Sequence, residues 1–224
     1  NLYETARKHP QRVVFAEGLH PTMIKAAVQA KEEGLCTPIL LGNDEMIEKK
    51  AKELELNLEG VEIVNLRHDR ERDRRERYAK ILSDKLQREG YTFQEANDKM
   101  FERNYFGMMM VETGDADAFI TGLYTKYSNT IKVANEVIGI RPEFKHFGTM
   151  HIINSPRGTL YLGDTLINEN PDTDALVDIA KLSATAVRFF NEKPVISMVS
   201  HSNFGSSQSD GALKVRHAVE KMQQ

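Results

Sequence analysis

The chain has 224 residues, with 30 lysines and arginines against 33 aspartates and glutamates, a formal net charge of -3 and 40% apolar residues. That length builds one large domain or two small ones with a buried core, and the even charge balance excludes a general pull toward nucleic acid or an anionic membrane. The lone cysteine, Cys36, closes no internal disulfide and leaves no cysteine-based metal site, no apolar run reaches membrane-span length, and the opening NLYETARKHPQ has no targeting pattern, so a soluble cytoplasmic protein is expected.

Residues 12–18, RVVFAEG, predict an apolar strand ending at Gly18. HPTMIKAAVQAKEEG predicts a helix closed by Gly34, and CTPILLGN, residues 36–43, a second strand ending in a turn. Two strands joined through a helix imply a crossover and a parallel sheet. The helical DEMIEKKAKELEL and the strand VEIVNL, residues 61–66, extend the pattern to βαβαβ. The charge block RHDRERDRRERYAKILSDKLQREG alternates bases and acids at helical-pair spacing, so it reads as a solvated helical face rather than a phosphate-tracking helix. In TFQEANDKMFERNYFGMMMVETG, Thr92 with Glu95 three residues on makes a capping box, and the pattern continues as one helix to Gly114 with its methionines as core filler.

DADAFITG, residues 115–122, predicts a buried strand, followed by a helix through Val137 and Ile138 capped by Ser128 or Asn129. A boundary is placed near Arg141-Pro142, giving a first α/β domain over residues 1–141 and a second over 142–224. In the second, HFGTMHIIN and GTLYLGD flank the turn Ser155-Pro-Arg-Gly158 as an antiparallel hairpin. Pro171 and a cap at Asp172 or Thr173 then open the helix TDALVDIAKLSATAVRFF, and Lys193–Val199 reads as a last buried strand. It leads into SHSNFGSSQSDG and a further helix from Ala212. Five serines, two glycines and an asparagine around that bend are consistent either with a turn or with hydroxyls and amides that hold an anion at a helix start.

Missing motifs narrow the chemistry. There is no Gly-x-Gly-x-x-Gly after a strand, no Walker A segment, no His-x-x-x-His and no Gly-x-Ser-x-Gly elbow, so no metal ligands and no catalytic residues are assigned in this chain. Three polar junctions remain: Thr125 to Lys132, Asp164 to Asn168, and Ser200 to Ser206. In a parallel α/β protein such loops gather at the carboxyl ends of strands, where ligands bind. Their hydroxyls, amides and lysine suit a phosphorylated or CoA-like ligand.

RVVFAEG, GDADAFITG, GTLYLGDTLINENPDTDALVDIA and above all SHSNFGSS resemble, in order along nearly the whole chain, the phosphotransacetylase-like domain at the C-terminus of bacterial NADP-dependent malic enzymes. Free-standing phosphate acetyltransferases are the next relatives. The resemblance implies a three-layer α/β/α fold with a mostly parallel sheet and a two-domain, isocitrate/isopropylmalate-dehydrogenase-like architecture with a cleft between the domains. It also implies acyl-CoA or phosphate contacts at Ser200, Ser202, Asn203, Gly205 and Ser206, faced by Thr130, Lys132, Asp164 and Asn168.

Acetyltransferases typically carry Ser-x-Ser-Thr-Lys-Gly-Ser where this chain has Ser200-His-Ser-Asn-Phe-Gly-Ser206, and Thr-Ile-Arg where it has Thr130-Ile131-Lys132. The chain stops before their later Ser-Arg…Asp motif and lacks a clear match to an arginine near Lys85 to Arg88. Lysine for arginine loses the planar fork, and Phe204 removes a charge, so weak or absent acetyl transfer is expected. By resemblance the domain regulates and assembles a malic enzyme. Acetyl-CoA is then the effector, NADP and Mg or Mn belong to a separate N-terminal malic domain, and the assembly is a homo-oligomer. The rival expectations are an active phosphate acetyltransferase and a purely structural dimerisation module.

Overall fold

The run Val13-Val14-Phe15 builds the centre of a sheet because β-branched and aromatic side chains fill both of its faces. In the computed structural model, which describes residues 2–203 and 205–223, this strand is β1 (Gln11–Phe15), with α1 (Leu2–Lys8) before it. Then follow α2 (Pro21–Glu32), β2 (Cys36–Leu41), α3 (Asp44–Glu53), β3 (Glu62–Val64), α4 (Arg72–Lys85), α5 (Phe93–Lys99), α6 (Arg103–Glu112), β4 (Ala118–Ile120) and α7 (Tyr127–Val137). The strands form a parallel sheet in the order β3-β2-β1-β4, with Val14 opposite Ile39 and Phe119.

Helices cover both faces. Phe15 and Leu40 pack against Ile24, Val28 and Ile47 of α2 and α3. Val14, Ile39, Leu41 and Val64 pack against Tyr78 and Leu82 of α4, Phe106 and Met109 of α6 and Val137 of α7. Strands buried on both faces read as continuous apolar runs, which is why this part of the chain is legible. The methionines of α6 are core, as expected.

Local chemistry sets the helix ends. Pro21 occupies the first turn of α2, and Gly34 follows its end at φ 69. The Asn43 side chain accepts from the Met46 amide to cap α3, and Thr92 with Glu95 forms the predicted capping box on α5.

Four expectations for the first unit are corrected. The helix expected from Thr92 to Gly114 is broken at Met100–Glu102, so α5 and α6 are separate; the turn buries Met100 and gives the Phe101 ring to Arg75, whose guanidinium carbon lies 4.7 Å from its centroid. The strand expected buried over 115–122 is a short edge strand, with Ile120 44% exposed. The cap expected at Ser128 or Asn129 is instead Lys126, without a side-chain bond, and both residues lie inside α7. Finally, the charge block is not only a solvated face. Arg72–Glu76 and Lys80–Asp84 pair across turns on its outside, but Arg75 is buried and donates to the carbonyls of Leu66 and His68 at 2.7 and 2.9 Å.

The chain divides into two compact units, Asn1–Gly139 and Ile140–Gln224. In the second, β5 (Met150–Ser155) and β6 (Gly158–Gly163) form the expected antiparallel hairpin, closed by the Ser155–Gly158 pair. Asp172 caps α8 (Thr173–Phe189) by accepting from the Ala175 amide; α8 packs on β6 and on α9 (Asp210–Gln223). Lys193–Val199, expected as a buried strand, takes no regular secondary structure and joins neither described sheet, and Val195 is 90% exposed. Its apolar residues pass beside β6 and α8 around a cavity of about 570 Å³ instead of pairing with a neighbour strand.

Candidate functional site: an anion-ready cleft and two polar loops

In the first unit the turns after β1, β2 and β3 open on one side of the sheet. Leu19, Asn43, Asn65, Arg67 and His68 line a cleft of about 780 Å³ there. Its opposite wall is made by Phe101 to Asn104, at the start of α6, and by Thr125 and Asn129 around the start of α7. No side chain caps the first turn of α6. Uncapped helix amides beside Arg67 and Arg103 favour an anion, because donors and cations line the same cleft. Arg103 is held over the Tyr124 ring at 5.6 Å and Arg67 over Phe101 at 6.0 Å.

Glu17, 1% exposed, fixes the loop between β4 and α7. Its Oε1 accepts from the Thr121 hydroxyl and from the amides of Gly122 and Leu123 at 2.9, 3.1 and 3.2 Å. Along α7, Thr130 is half-buried and Lys132 is exposed, its Nζ 3.7 Å from Glu136 Oε1. Thus the first predicted junction contributes Thr125 and Asn129 to the cleft, while Thr130 and Lys132 lie within the helix.

The second unit gathers the remaining candidates into two groups. Asp164 is a hub: Oδ1 accepts from the Thr149 amide at 3.1 Å and from its hydroxyl, and Oδ2 accepts from the Asn168 amide and Nδ2 at 2.9 and 2.6 Å. Asn168 Nδ2 also donates to the Phe147 carbonyl. Burial alone would raise the Asp164 pKa, but the bonds from Thr149 and Asn168 together outweigh it and hold the carboxyl below its usual range.

In the serine bend, Ser202 Oγ lies 3.2 Å from Ser206 Oγ and accepts from the Ser207 amide at 3.0 Å, while Ser200 Oγ accepts from the Ser202 amide. Asn203 accepts the Ser206 amide through its carbonyl. Gly205, at φ 73, offers its carbonyl to Arg216 of α9 at 3.3 Å. A Cβ at Gly205 would meet Arg216 Nη2 at 2.9 Å, so the glycine admits the guanidinium. Phe204 lies outside the described residues.

Sequence reasoning missed Glu17, Arg67, Arg103, Glu136 and Arg216. Each acts through partners far along the chain or on a helix whose charges look like ordinary surface. Only the position of Arg67, directly after an apolar strand, was a local signal.

The sequence matches the family described as phosphate acetyl/butaryl transferase over residues 1–224. It is 35% identical to an NADP-dependent malic enzyme of Salmonella typhimurium across 100% of this chain and 30% of that protein. To a phosphate acetyltransferase of Synechocystis it is 30% identical, across 98% of this chain and 31% of that protein. The chain therefore spans under a third of the length of these relatives. The solved EutD phosphotransacetylase from Staphylococcus aureus superposes with a TM-score of 0.85 at 26% identity, covering 99% of this chain and 66% of that one.

Proposed function

The chain belongs to the phosphate acetyl/butaryl transferase family, and from that premise we propose that it is the acyl-CoA- and phosphate-binding regulatory domain of an NADP-dependent malic enzyme. The observation that carries this reading is the cleft over the carboxyl ends of β1 to β3, with Arg67, Arg103 and the first turn of α6 on its walls. Its volume falls within the few hundred to about 1,000 Å³ usual for small-ligand sites. Thr130 and Lys132 in the first unit, and Ser200, Ser202, Asn203, Gly205, Ser206, Asp164 and Asn168 in the second, are assigned as ligand contacts.

Malate decarboxylation, with its NADP and divalent metal, is assigned to a malic domain outside this chain. Among the described residues no group of three or more His, Cys, Asp or Glu is placed to hold a metal ion, so the residues present do not fit that metal. The same reading takes the isocitrate-dehydrogenase-like arrangement, homo-oligomer assembly and a cytoplasmic setting from the family. Among the described residues no helix is long and apolar enough to cross a membrane.

Acetyl transfer between phosphate and a thiol needs gripped dianion charge, a route for the thiol proton and stabilisation of an oxyanion. Lys132 supplies charge without the fork of an arginine, which supports a sensor over a transferase. In the complete gene product, acetyl-CoA is expected to inhibit malate decarboxylation, with little acetyl phosphate formed from acetyl-CoA and phosphate. Robust acetyl phosphate turnover would identify a phosphate acetyltransferase instead, and absence of calorimetric heat at millimolar acetyl-CoA would leave a structural dimerisation module. Lys132→Ala is expected to weaken acetyl-CoA or acetyl phosphate binding by about tenfold or more, the cost of one charge-assisted contact.

A further inference from the structure

Glu136 is a buried acid, 8% exposed, that does not line the cleft over β1 to β3 but lies close to Lys132. Its Oε2 accepts from the Tyr105 hydroxyl at 2.6 Å and the Tyr91 hydroxyl at 3.1 Å, groups 31 and 45 residues away in sequence. Its Oε1 faces Lys132 Nζ at 3.7 Å. Burial, and then the bond to Glu136, raise the Tyr105 pKa; burial and the nearby Glu136 charge raise that of Tyr91. Both therefore stay phenols that donate at neutral pH. The other cation beside this cluster, Lys99, is held 5.1 Å from the Tyr105 ring centroid and paired with Glu102 at 3.0 Å. Lys99 also feels the Glu136 charge, but among the described residues it is Lys132 whose ammonium lies within 4.0 Å of the Glu136 carboxylate, and its side chain is 68% exposed at the surface of α7.

We propose that Glu136 is a fixed counter-ion that restrains Lys132 and so sets the affinity of this end of the first unit for phosphate-bearing ligands. The inference rests on the reading of Lys132 as a ligand contact. Two phenols lock the carboxylate, so it does not move aside when an anion arrives. A bound phosphate competes with it for the ammonium and meets its like charge at short range. Glu136 is a positioning residue, and its effect is opposite in sign to that of a group that merely supports the fold. Its removal tightens binding.

The test is calorimetric titration of the full chain with acetyl phosphate and, separately, acetyl-CoA, using wild type, Glu136→Gln, Lys132→Ala and the double variant. Glutamine keeps an oxygen for both phenols and turns its amide nitrogen toward Lys132, where it cannot accept. Folding is therefore expected to be retained, with circular dichroism as the check. Glu136→Gln is expected to bind about tenfold tighter, the scale on which one nearby like charge acts in partly solvated surroundings. In the double variant the gain from Glu136→Gln should shrink relative to its size in the wild-type background, because the share that acts by restraining Lys132 is gone. Tyr105→Phe, which frees one side of the carboxylate but keeps its charge, is expected to lower the melting temperature and to tighten binding by less than Glu136→Gln does. If Lys132→Ala weakens binding while Glu136→Gln is neutral or weaker, the counter-ion role is wrong and the ligand assignment stands. If Lys132→Ala binds like wild type, the ligand assignment itself fails and takes the counter-ion role with it.

Discussion

Gly18→Ala is expected to lower the melting temperature of the first unit by about 10 °C. Gly18 lies in the turn after β1, and a Cβ built there would lie 2.6 Å from the Leu41 carbonyl oxygen, 3.0 Å from the Leu41 nitrogen and 3.1 Å from Leu40 Cβ. Two of those atoms are backbone of the neighbouring strand β2, and the Gly18 amide donates to that same Leu41 oxygen at 3.1 Å. Relief therefore requires the backbone of this turn to move away from the end of β2 rather than a side chain to rotate. Overpacking of this kind costs at the upper end of the usual range, ~3 kcal/mol, and a unit of this size loses roughly 3 °C per kcal/mol. Gly114→Ala is the matched control. It has open space around it and φ 77, so only the left-handed backbone penalty, about 1 kcal/mol, applies. Scanning calorimetry that found the two variants equally stable would show that the turn after β1 does not press on β2 at Leu41.

Asp164→Asn is expected to destabilise the second unit by about 3 kcal/mol at pH 7. Four donors converge on the carboxylate from Thr149 and Asn168. An amide presents an oxygen to one pair and a nitrogen to the other, so donor meets donor on one side. The effect has a pH signature. Because the folded-state pKa of Asp164 is depressed, its contribution is present above the unfolded value, near 4, and is lost as pH falls through the lower folded value. Asp178, paired with His146 at 2.9 Å, has a depressed pKa as well and is lost in the same direction. The wild type therefore weakens on acidification through both, and the difference between wild type and Asp164→Asn should shrink below about pH 4. Urea unfolding at pH 7 and pH 3 measures this. An unchanged midpoint at pH 7 would mean that Asp164 is free of structural duty and available wholly to a ligand.

What could be read from the sequence follows from how local each determinant is. The apolar runs at Val13–Phe15 and Ile39–Leu41, the stop at Gly34, the Thr92–Glu95 box and the Ser155–Gly158 turn all act within a few residues, and each appears as expected. The break between α5 and α6 was not legible, because it depends on Arg75 taking the Phe101 ring across 26 positions. Lys193–Val199 has the composition of a strand, but a strand is defined by its partner, and the apolar pattern says nothing of which edge is offered. For the candidate site, Thr125, Asn129 and the serine bend were visible as polar residues at strand ends. Arg67 and Arg103 lay within a run of mixed charge, and the hydrogen bonds to Glu17 and Glu136 come from groups 31 to 106 residues away.

The buried guanidinium of Arg75 has a mechanical consequence for the cleft. It grips the turn after β3 through two carbonyls and presses on the ring of Phe101, so one side chain spans the corner where those two walls meet. A strut of this kind fixes the aperture there, since widening it would strip a cation of both acceptors in a dry setting. Any ligand that demands a wider mouth must gain it from the far lip, where Thr125 and Asn129 lie next to the helix start that no side chain caps.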